Sequence, residues 1–293
     1  MRNKIRIGTC SWKYESWRGL VYPEFGEFNY LEEYSKLYHT VEIDQWFWSL
    51  HGNKVTLPIP KVVNNYNSST PEDFRFTIKV PNSITLTHHY KSNDKNKHFL
   101  SSDLMDSFCS SIKPIQNKIG MLIFQFEYLN KQKIDNFEQF EKKFTEFRKC
   151  IDESIPIGIE IRNPNYLSSR YFDFLNDIKT SMVFLQGYYM PNITDVFKNY
   201  NSKINSSVVI RLHGFDRKGI EQKTNKIWNK IVESKDAELK SIIEMIVKLQ
   251  TKKNDVYINV NNHYEGSAPL TISKIKKLLG LEIDSHNSNN YSN

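Results

Sequence analysis

Six charged residues occupy alternate positions in short apolar runs. Glu42 lies in Thr40-Val41-Glu42-Ile43-Asp44 and Lys79 in Arg75-Phe76-Thr77-Ile78-Lys79. Glu160 and Arg162 share Ile157-Gly158-Ile159-Glu160-Ile161-Arg162, and Arg211 and His213 share Val208-Val209-Ile210-Arg211-Leu212-His213. Two carboxylates that meet across a pocket can serve as acid and base or as nucleophile, the arrangement glycosidases use. They can equally neutralise arginines, since ion-pair networks also fill polar sites. Guanidinium groups such as those of Arg162 and Arg211 present forked donors that suit a carboxylate or phosphate. His213 changes its charge near neutral pH and can move a proton. Glu42, Glu160 and His213 are therefore the candidate catalytic residues. Asp44, Lys79, Arg162 and Arg211 are candidate substrate contacts.

Aromatic and amide residues extend this set. Trp12, Tyr14, Trp17 and Tyr22 follow the first apolar run, and Trp46, Phe47 and Trp48 follow the second. Such clusters seal a loop layer, and they can also stack on sugars or bases. Trp12 is the candidate contact among them. Asn261 and Asn262, before His263, offer both donors and acceptors for a polar ligand or for loop backbone. No His-x-x-x-His spacing occurs, and Arg and Lys share the expected pocket. No metal and no cofactor is expected, and an anionic ligand is favoured over a cation.

These side chains need a scaffold that turns one face of each run toward a common centre. Eight runs read as strands: 4–8, 40–44, 75–80, 121–126, 157–162, 182–186, 208–213 and 256–261. Successive side chains on a strand point to opposite faces, so Val41, Ile43, Phe76, Ile78, Ile159, Ile161, Ile210 and Leu212 form one greasy set and the charged residues the other. Helical stripes lie between them. Leu31, Tyr34 and Leu37 form one, and Leu104, Met105, Phe108, Ile112 and Ile115 another. Phe137, Phe140, Phe144 and Phe147 follow, then Leu239, Ile242, Ile243 and Ile246, and finally Ile272, Ile275 and Leu279. Asp103 and Asp135 are expected to cap helix starts. The segment 45–73 carries Pro58, Pro60 and Pro71, so any helix there is short.

Strand and helix alternating eight times predict an α/β fold, a (β/α)8 TIM-type barrel in a single domain over residues 1–283, with 284–293 as a disordered tail. A doubly wound sheet is the competing architecture, but no Gly-rich phosphate loop follows the first strand. In a barrel the greasy set faces the helices and Glu42, Lys79, Glu160, Arg162, Arg211 and His213 face the lumen, near the strand ends where barrel sites lie.

The chain has 293 residues, of which 39% are hydrophobic, enough for one sizeable core. Its net charge of +7 permits an anionic partner, although most of the excess is Lys on a solvated surface. Three widely spaced cysteines form neither a disulfide framework nor a metal motif. With no apolar leader and no membrane-length run, a cytoplasmic protein without membrane association is expected. Oligomeric state is not legible.

Several segments together resemble the YecE-like family, domain of unknown function seventy-two. They are Ile7-Gly8-Thr9-Cys10-Ser11-Trp12 with Trp17-Arg18-Gly19, Thr40-Val41-Glu42-Ile43-Asp44, Thr70-Pro71-Glu72-Asp73-Phe74-Arg75-Phe76-Thr77-Ile78-Lys79, Ile159-Glu160-Ile161-Arg162-Asn163-Pro164, Val209-Ile210-Arg211-Leu212-His213-Gly214, and Asn261-Asn262 with Gly266. The resemblance spans nearly the whole chain in order and implies a TIM-type barrel, without implying a reaction. Cys10-Ser11, Asp44 and Tyr166 depart from the family pattern and bear on loop detail and ligand specificity. The expected function is an enzyme, with hydrolysis as the first reaction class, acting on a polar and anionic small molecule. The alternative is a non-catalytic nucleotide or nucleic-acid binder using the same basic pocket. A third possibility is an interaction protein whose lumen is only an ion-pair core.

Overall fold

A computed structural model describes residues 4–281 except 91, 93 and 253; the expected tail, 284–293, lies outside the described residues. Eight strands form one parallel sheet: β1 (Ile5–Thr9), β2 (Thr40–Ile43), β3 (Arg75–Lys79), β4 (Ile119–Gln125), β5 (Ile157–Glu160), β6 (Ser181–Gly187), β7 (Val208–Gly214) and β8 (Val256–Val260). Their spatial order is β1-β8-β7-β6-β5-β4-β3-β2, every pairing parallel. Parallel neighbours need crossovers, and helices supply them. The helices are α1 (Tyr30–Leu37), α2 (Pro60–Ser68), α3 (Ser102–Ser111), α4 (Phe137–Arg148), α5 (Ser169–Asp177), α6 (Ile193–Tyr200), α7 (Arg217–Thr224), α8 (Asp236–Thr251) and α9 (Ala268–Leu278). The sheet is the expected (β/α)8 barrel in a single domain, with strand limits within two residues of those read from the sequence.

The barrel is nearly closed, and its seam lies between β1 and β2. A single parallel bridge joins Cys10 to Glu42 there. Ser11 N–H donates to the Glu42 carbonyl at 3.1 Å. The seam is tight because Gly8 has no side chain: a Cβ at this position would come within 1.9 Å of the Thr40 carbonyl oxygen. Tyr34, fully buried on α1, completes the join. Its hydroxyl accepts the Thr9 N–H at 2.9 Å and donates to the Thr40 carbonyl at 3.1 Å. Two backbone groups that the open edges would leave unpaired are thereby satisfied.

Alternation sorts the strand residues as expected. Val41, Ile43, Phe76, Ile78, Ile159, Ile161, Ile210 and Leu212 belong to the large buried layer between sheet and helices. A second, smaller apolar cluster fills the bottom of the lumen: Met121, Ile123, Val183, Val209 and Tyr257. Two residues further along β4, β7 and β8, the inward positions become polar, at Gln125, Arg211 and Asn259; on β6 the corresponding residue is Leu185.

Local details depart from expectation. Ser101 and Asn136, not Asp103 and Asp135, cap α3 and α4, each accepting a first-turn N–H. Each cap lies directly before the first helical residue, while Asp103 sits inside the first turn and Asp135 one residue too early. The stripe read through Ile115 breaks at α3, and Pro114 continues it as a 3-10 turn over Lys113–Lys118. The helix in segment 45–73 is short, as expected: α2 has nine residues and starts at Pro60, because the first helical position needs no N–H donor.

The seam generates a prediction. Tyr34→Phe keeps the ring and removes the bridging hydroxyl, leaving the Thr9 N–H and Thr40 C=O buried without that partner. The expected cost is about 1–3 kcal/mol. Denaturant melts should show the loss, and amide exchange should accelerate selectively at Thr9; unchanged exchange there would mean that other bonds hold the seam.

Candidate functional site

The middle layer of the lumen is built by register. Pairing sets Glu42 beside Thr77, Gln125 beside Glu160, and Arg211 beside Asn259. These six side chains replace the branched apolar residues that usually fill a barrel. Arg211 is only 1% exposed, and Glu42 and Glu160 are fully buried. Arg211 Nε and Nη2 donate to the two oxygens of Glu42, each at 2.7 Å. Its Nη1 donates to Glu160 Oε2 and to Gln125 Oε1, the latter at 3.4 Å. Asn259 Nδ2 donates to Glu42 Oε2 at 3.0 Å and to Thr77 Oγ1 at 2.8 Å. One guanidinium thus joins two carboxylates from opposite sides of the barrel. A buried arginine persists only with such compensation.

Arg162, two residues above Glu160, turns back onto it: Nε donates to Glu160 Oε1 at 2.9 Å. The Arg162 side chain remains 25% exposed and stacks on Tyr188, its Cζ 4.6 Å from the ring centroid. Burial alone would push the Glu160 carboxyl up, but Arg211, Arg162 and Lys79 outweigh it and hold the group down to about 2. Glu160 is therefore a fixed anion at physiological pH.

The upper layer has the opposite character. Lys79 is buried, its ammonium 3.8 Å from the centroid of the Phe47 ring. Burial and then the Arg211 charge pull it down to about 8. His213 lies between two partners: Cys10 Sγ is 3.6 Å from Nε2 and the Tyr188 hydroxyl is 3.4 Å from Nδ1. Burial, then Arg211, Arg162 and Lys79, keep the imidazole well below its ordinary value and hence neutral. Burial, then Glu42, push the Cys10 thiol well up. Asp44, half-buried one step above Glu42, is raised by burial and then by Glu42. Two residues beside this layer, Ser11 and Tyr188, hold left-handed backbone at φ 71° and 55°. Such conformations cost a non-glycine residue energy and cluster at functional sites.

The structure brings together Glu42, Asp44, Lys79, Glu160, Arg162, Arg211 and His213, and the expected direct pairing of carboxylates with arginines is present. Three expected contacts point elsewhere. Trp12 is buried edge-on against Tyr66, at 5.1 Å between centroids, and its carbonyl accepts from Tyr22 Oη. Asn262 Oδ1 accepts the Ala268 N–H at 2.9 Å and so secures the start of α9. Asn261 Oδ1 accepts the His263 N–H at 3.0 Å. Sequence reasoning missed Cys10, Thr77, Gln125 and Tyr188. Parity would have found Gln125, two residues beyond the lumen residue Ile123, and Thr77, two before Lys79. Cys10 follows Gly8 by the same step. Tyr188 lies past its strand end and gave no signal.

Which residues could hold a metal is settled among few. Cys10, Glu42 and His213 place one ligand atom each within 4.8 Å of one another. Glu42, however, already spends both oxygens on Arg211, and a divalent ion there would face that guanidinium.

Two stability predictions follow from these charges. Arg211→Met leaves buried Glu42 without a cationic partner and Glu160 with Arg162 alone, and the expected loss is roughly 3–5 kcal/mol at neutral pH. The deficit should shrink as pH falls and the carboxylates protonate; a deficit independent of pH would show that lost packing, not charge, is responsible. His213, with a folded-state pKa below its unfolded value, favours folding above about pH 6.5 and loses that contribution as pH falls below it. Melting temperature measured from pH 7.5 to 5 should therefore fall more steeply for the natural protein than for His213→Asn.

Comparison with known proteins agrees with this architecture. The family model described as "Protein of unknown function DUF72" matches residues 6–291. A DUF72 family protein of Enterococcus faecalis V583 superposes with a TM-score of 0.69 at 20% identity, covering 99% of this chain and 100% of its own. A DUF72 family protein of Thermotoga maritima MSB8 gives 0.65 at 20% identity, covering 94% and 99%. Among curated proteins, none matches the chain. At such identities the two structures speak for the fold alone. The family model's reach over nearly all of the chain decides membership: this protein belongs to the DUF72 family.

Proposed function

We propose that the strand C-terminal end of this barrel is the active site of an enzyme acting on a small, polar, anionic molecule, with proton transfer at its centre and hydrolysis as its reaction class. One observation carries the reading. Above a layer of fixed charges lie three titratable groups, Asp44, Lys79 and His213, each shifted toward its uncharged form. Groups poised this way in a partly dry site suit acid–base work. A pure ion-pair core would leave them fully charged and mutually paired.

In this reading the expected roles are redistributed. Glu42 and Glu160 hold Arg211 and are positioning residues, because both oxygens of each already accept from arginine donors deep in the barrel. Arg162 is the anion clamp, since it keeps an exposed edge while Glu160 and Tyr188 fix its plane. His213 exchanges the proton. The three free thiols support a reducing, cytoplasmic setting.

A second reading, non-catalytic binding of a nucleotide or nucleic acid, draws on a different observation. Trp48, Tyr128, Tyr189 and Phe215 are exposed in loops that follow strands at this same end. Exposed aromatic faces stack on bases without regard to sequence.

Thermal-shift measurements with phosphate, sugar phosphates, carboxylates, nucleotides and divalent metals test both. Stabilisation is expected from an anion and not from its neutral counterpart, weakening with added salt. Arg162→Ala should abolish it while the unliganded protein still folds. Stabilisation by an oligonucleotide alone, with a steep salt dependence, would favour the second reading. Stabilisation by a divalent metal alone, unaffected in Arg162→Ala, would reject the anion clamp.

A further inference from the structure

Two lysines are buried among the described residues, and their surroundings differ. Lys118 donates to the carbonyls of Asn67 and Thr70, each at 2.8 Å, and to the Thr70 hydroxyl at 3.3 Å. It is a structural lysine with its donors satisfied. Lys79 has no hydrogen-bond acceptor and no carboxylate within ion-pair distance among the described residues; its amine lies 3.8 Å from the centroid of the Phe47 ring. A buried ammonium without acceptors is costly, and the group answers by shedding its proton. Around it lie Arg211, Glu42, Glu160, Asp44 and His213, near enough for their charges to act on it or its charge on theirs. The amine stands at the C-terminal end of β3, in the layer where the acid–base groups gather.

We propose that Lys79 is a nucleophile that captures the aldehyde or ketone carbonyl of an anionic substrate as an imine. The proposal rests on the reading of this end of the barrel as an anion-binding enzyme site, and names the substrate class as a carbonyl compound. The free amine's lone pair attacks the carbonyl carbon, and the C=O electron pair moves to oxygen, which takes a proton. The resulting carbinolamine loses its hydroxyl as water, nitrogen gives up its remaining proton, and the C=N bond forms. The balance is R2C=O plus Lys-NH2 giving R2C=N-Lys plus H2O, with no oxidant or reductant. Asp44, raised toward its protonated form, is placed to protonate the departing hydroxyl, and neutral His213 to accept the amine's proton. Water reverses the sequence and releases the same carbonyl, with the same groups moving the protons. Arg162 would hold the substrate's anionic group.

The amine's descent to about 8 makes the test selective. The full-length protein is incubated at pH 7.5 with glyoxylate and sodium cyanoborohydride, digested, and each lysine's carboxymethyl adduct is followed by mass spectrometry. Lys79 should react roughly tenfold or more faster than the exposed lysines, which stay protonated at this pH. Lys118 should not react. Lys79→Arg should lose that adduct alone. Because the comparison among lysines is made in the natural protein, a variant that fails to fold does not affect the outcome. Modification of Lys79 no faster than of Lys118 overturns the proposal. Acetaldehyde separates the two ideas. Equal capture of acetaldehyde and glyoxylate at Lys79, insensitive to Arg162→Ala, sustains the nucleophile and removes the anion clamp. Anion-induced stabilisation with no Lys79 adduct removes the nucleophile and leaves the clamp.

Discussion

A guanidinium at the centre of a closed β-barrel has to be matched by anions at fixed places, and that requirement organises this molecule. Arg211 uses every nitrogen of its fork on acceptors from β2, β4 and β5. The acceptors come from strands far apart in sequence, so their alignment depends on barrel closure. Closure in turn depends on the seam at which Gly8 lets β1 approach Thr40. The ion-pair layer is therefore coupled to the fold's weakest edge: Glu42, which carries the bidentate partner of Arg211, is also the residue bridged to Cys10 across that seam. Replacement by apolar residues could serve stability as well or better. Retention of a charged middle layer is better explained by what it does to the layer above.

That effect is electrostatic. Counted by residue type alone, the charges balance, with Arg162, Arg211 and Lys79 against Glu42, Glu160 and Asp44. Their placement does not balance. Glu42 and Glu160 are consumed by arginines below and beside them, so Lys79 meets Arg211's charge with no carboxylate in contact. His213 feels three cations. The lower layer thus biases the upper groups toward neutrality, which burial alone also favours. The two causes act in the same sense on Lys79 and His213, and burial acts with Glu42 on Asp44.

Much of this was legible from residue types and parity. The alternation that put Glu42, Lys79, Glu160, Arg162, Arg211 and His213 on one face is a local property of each strand, and local properties survive without knowledge of the partner. Pairing with arginines was legible too, because buried charges require it. Division of labour was not. Whether Glu160 is a free acid or a locked counter-ion depends on where Arg211 and Arg162 reach, which is set by cross-barrel geometry. Asn262 illustrates the same limit: its sequence neighbours suit a ligand contact, yet its side chain closes on the Ala268 amide of the following helix. The short helix α7 and the hairpin Leu50–His51 with Lys54–Val55 left no clear signal because the barrel, not their own propensity, stabilises them, whereas α5 carries an apolar face of Tyr171, Phe172, Phe174 and Leu175 that was missed.

Backbone strain links the upper layer to function independently of charge. Ser11 directly follows Cys10, and Tyr188 directly follows Gly187 at the end of β6; both adopt left-handed conformations that a side chain disfavours. Tyr188 gains from its position a stacked Arg162 and a hydroxyl near His213 Nδ1. Cys10 gains the bridge to Glu42 and an approach to His213 Nε2. The two strained turns therefore grip His213 from both ring nitrogens, while Tyr188 also fixes the plane of Arg162, the more exposed of the two guanidinium groups in the site. A core that needed only to be stable could relax either turn, at the cost of freeing the imidazole. Holding both against their preference fixes one ring orientation and one guanidinium plane at the open end of the barrel, which packing alone does not require.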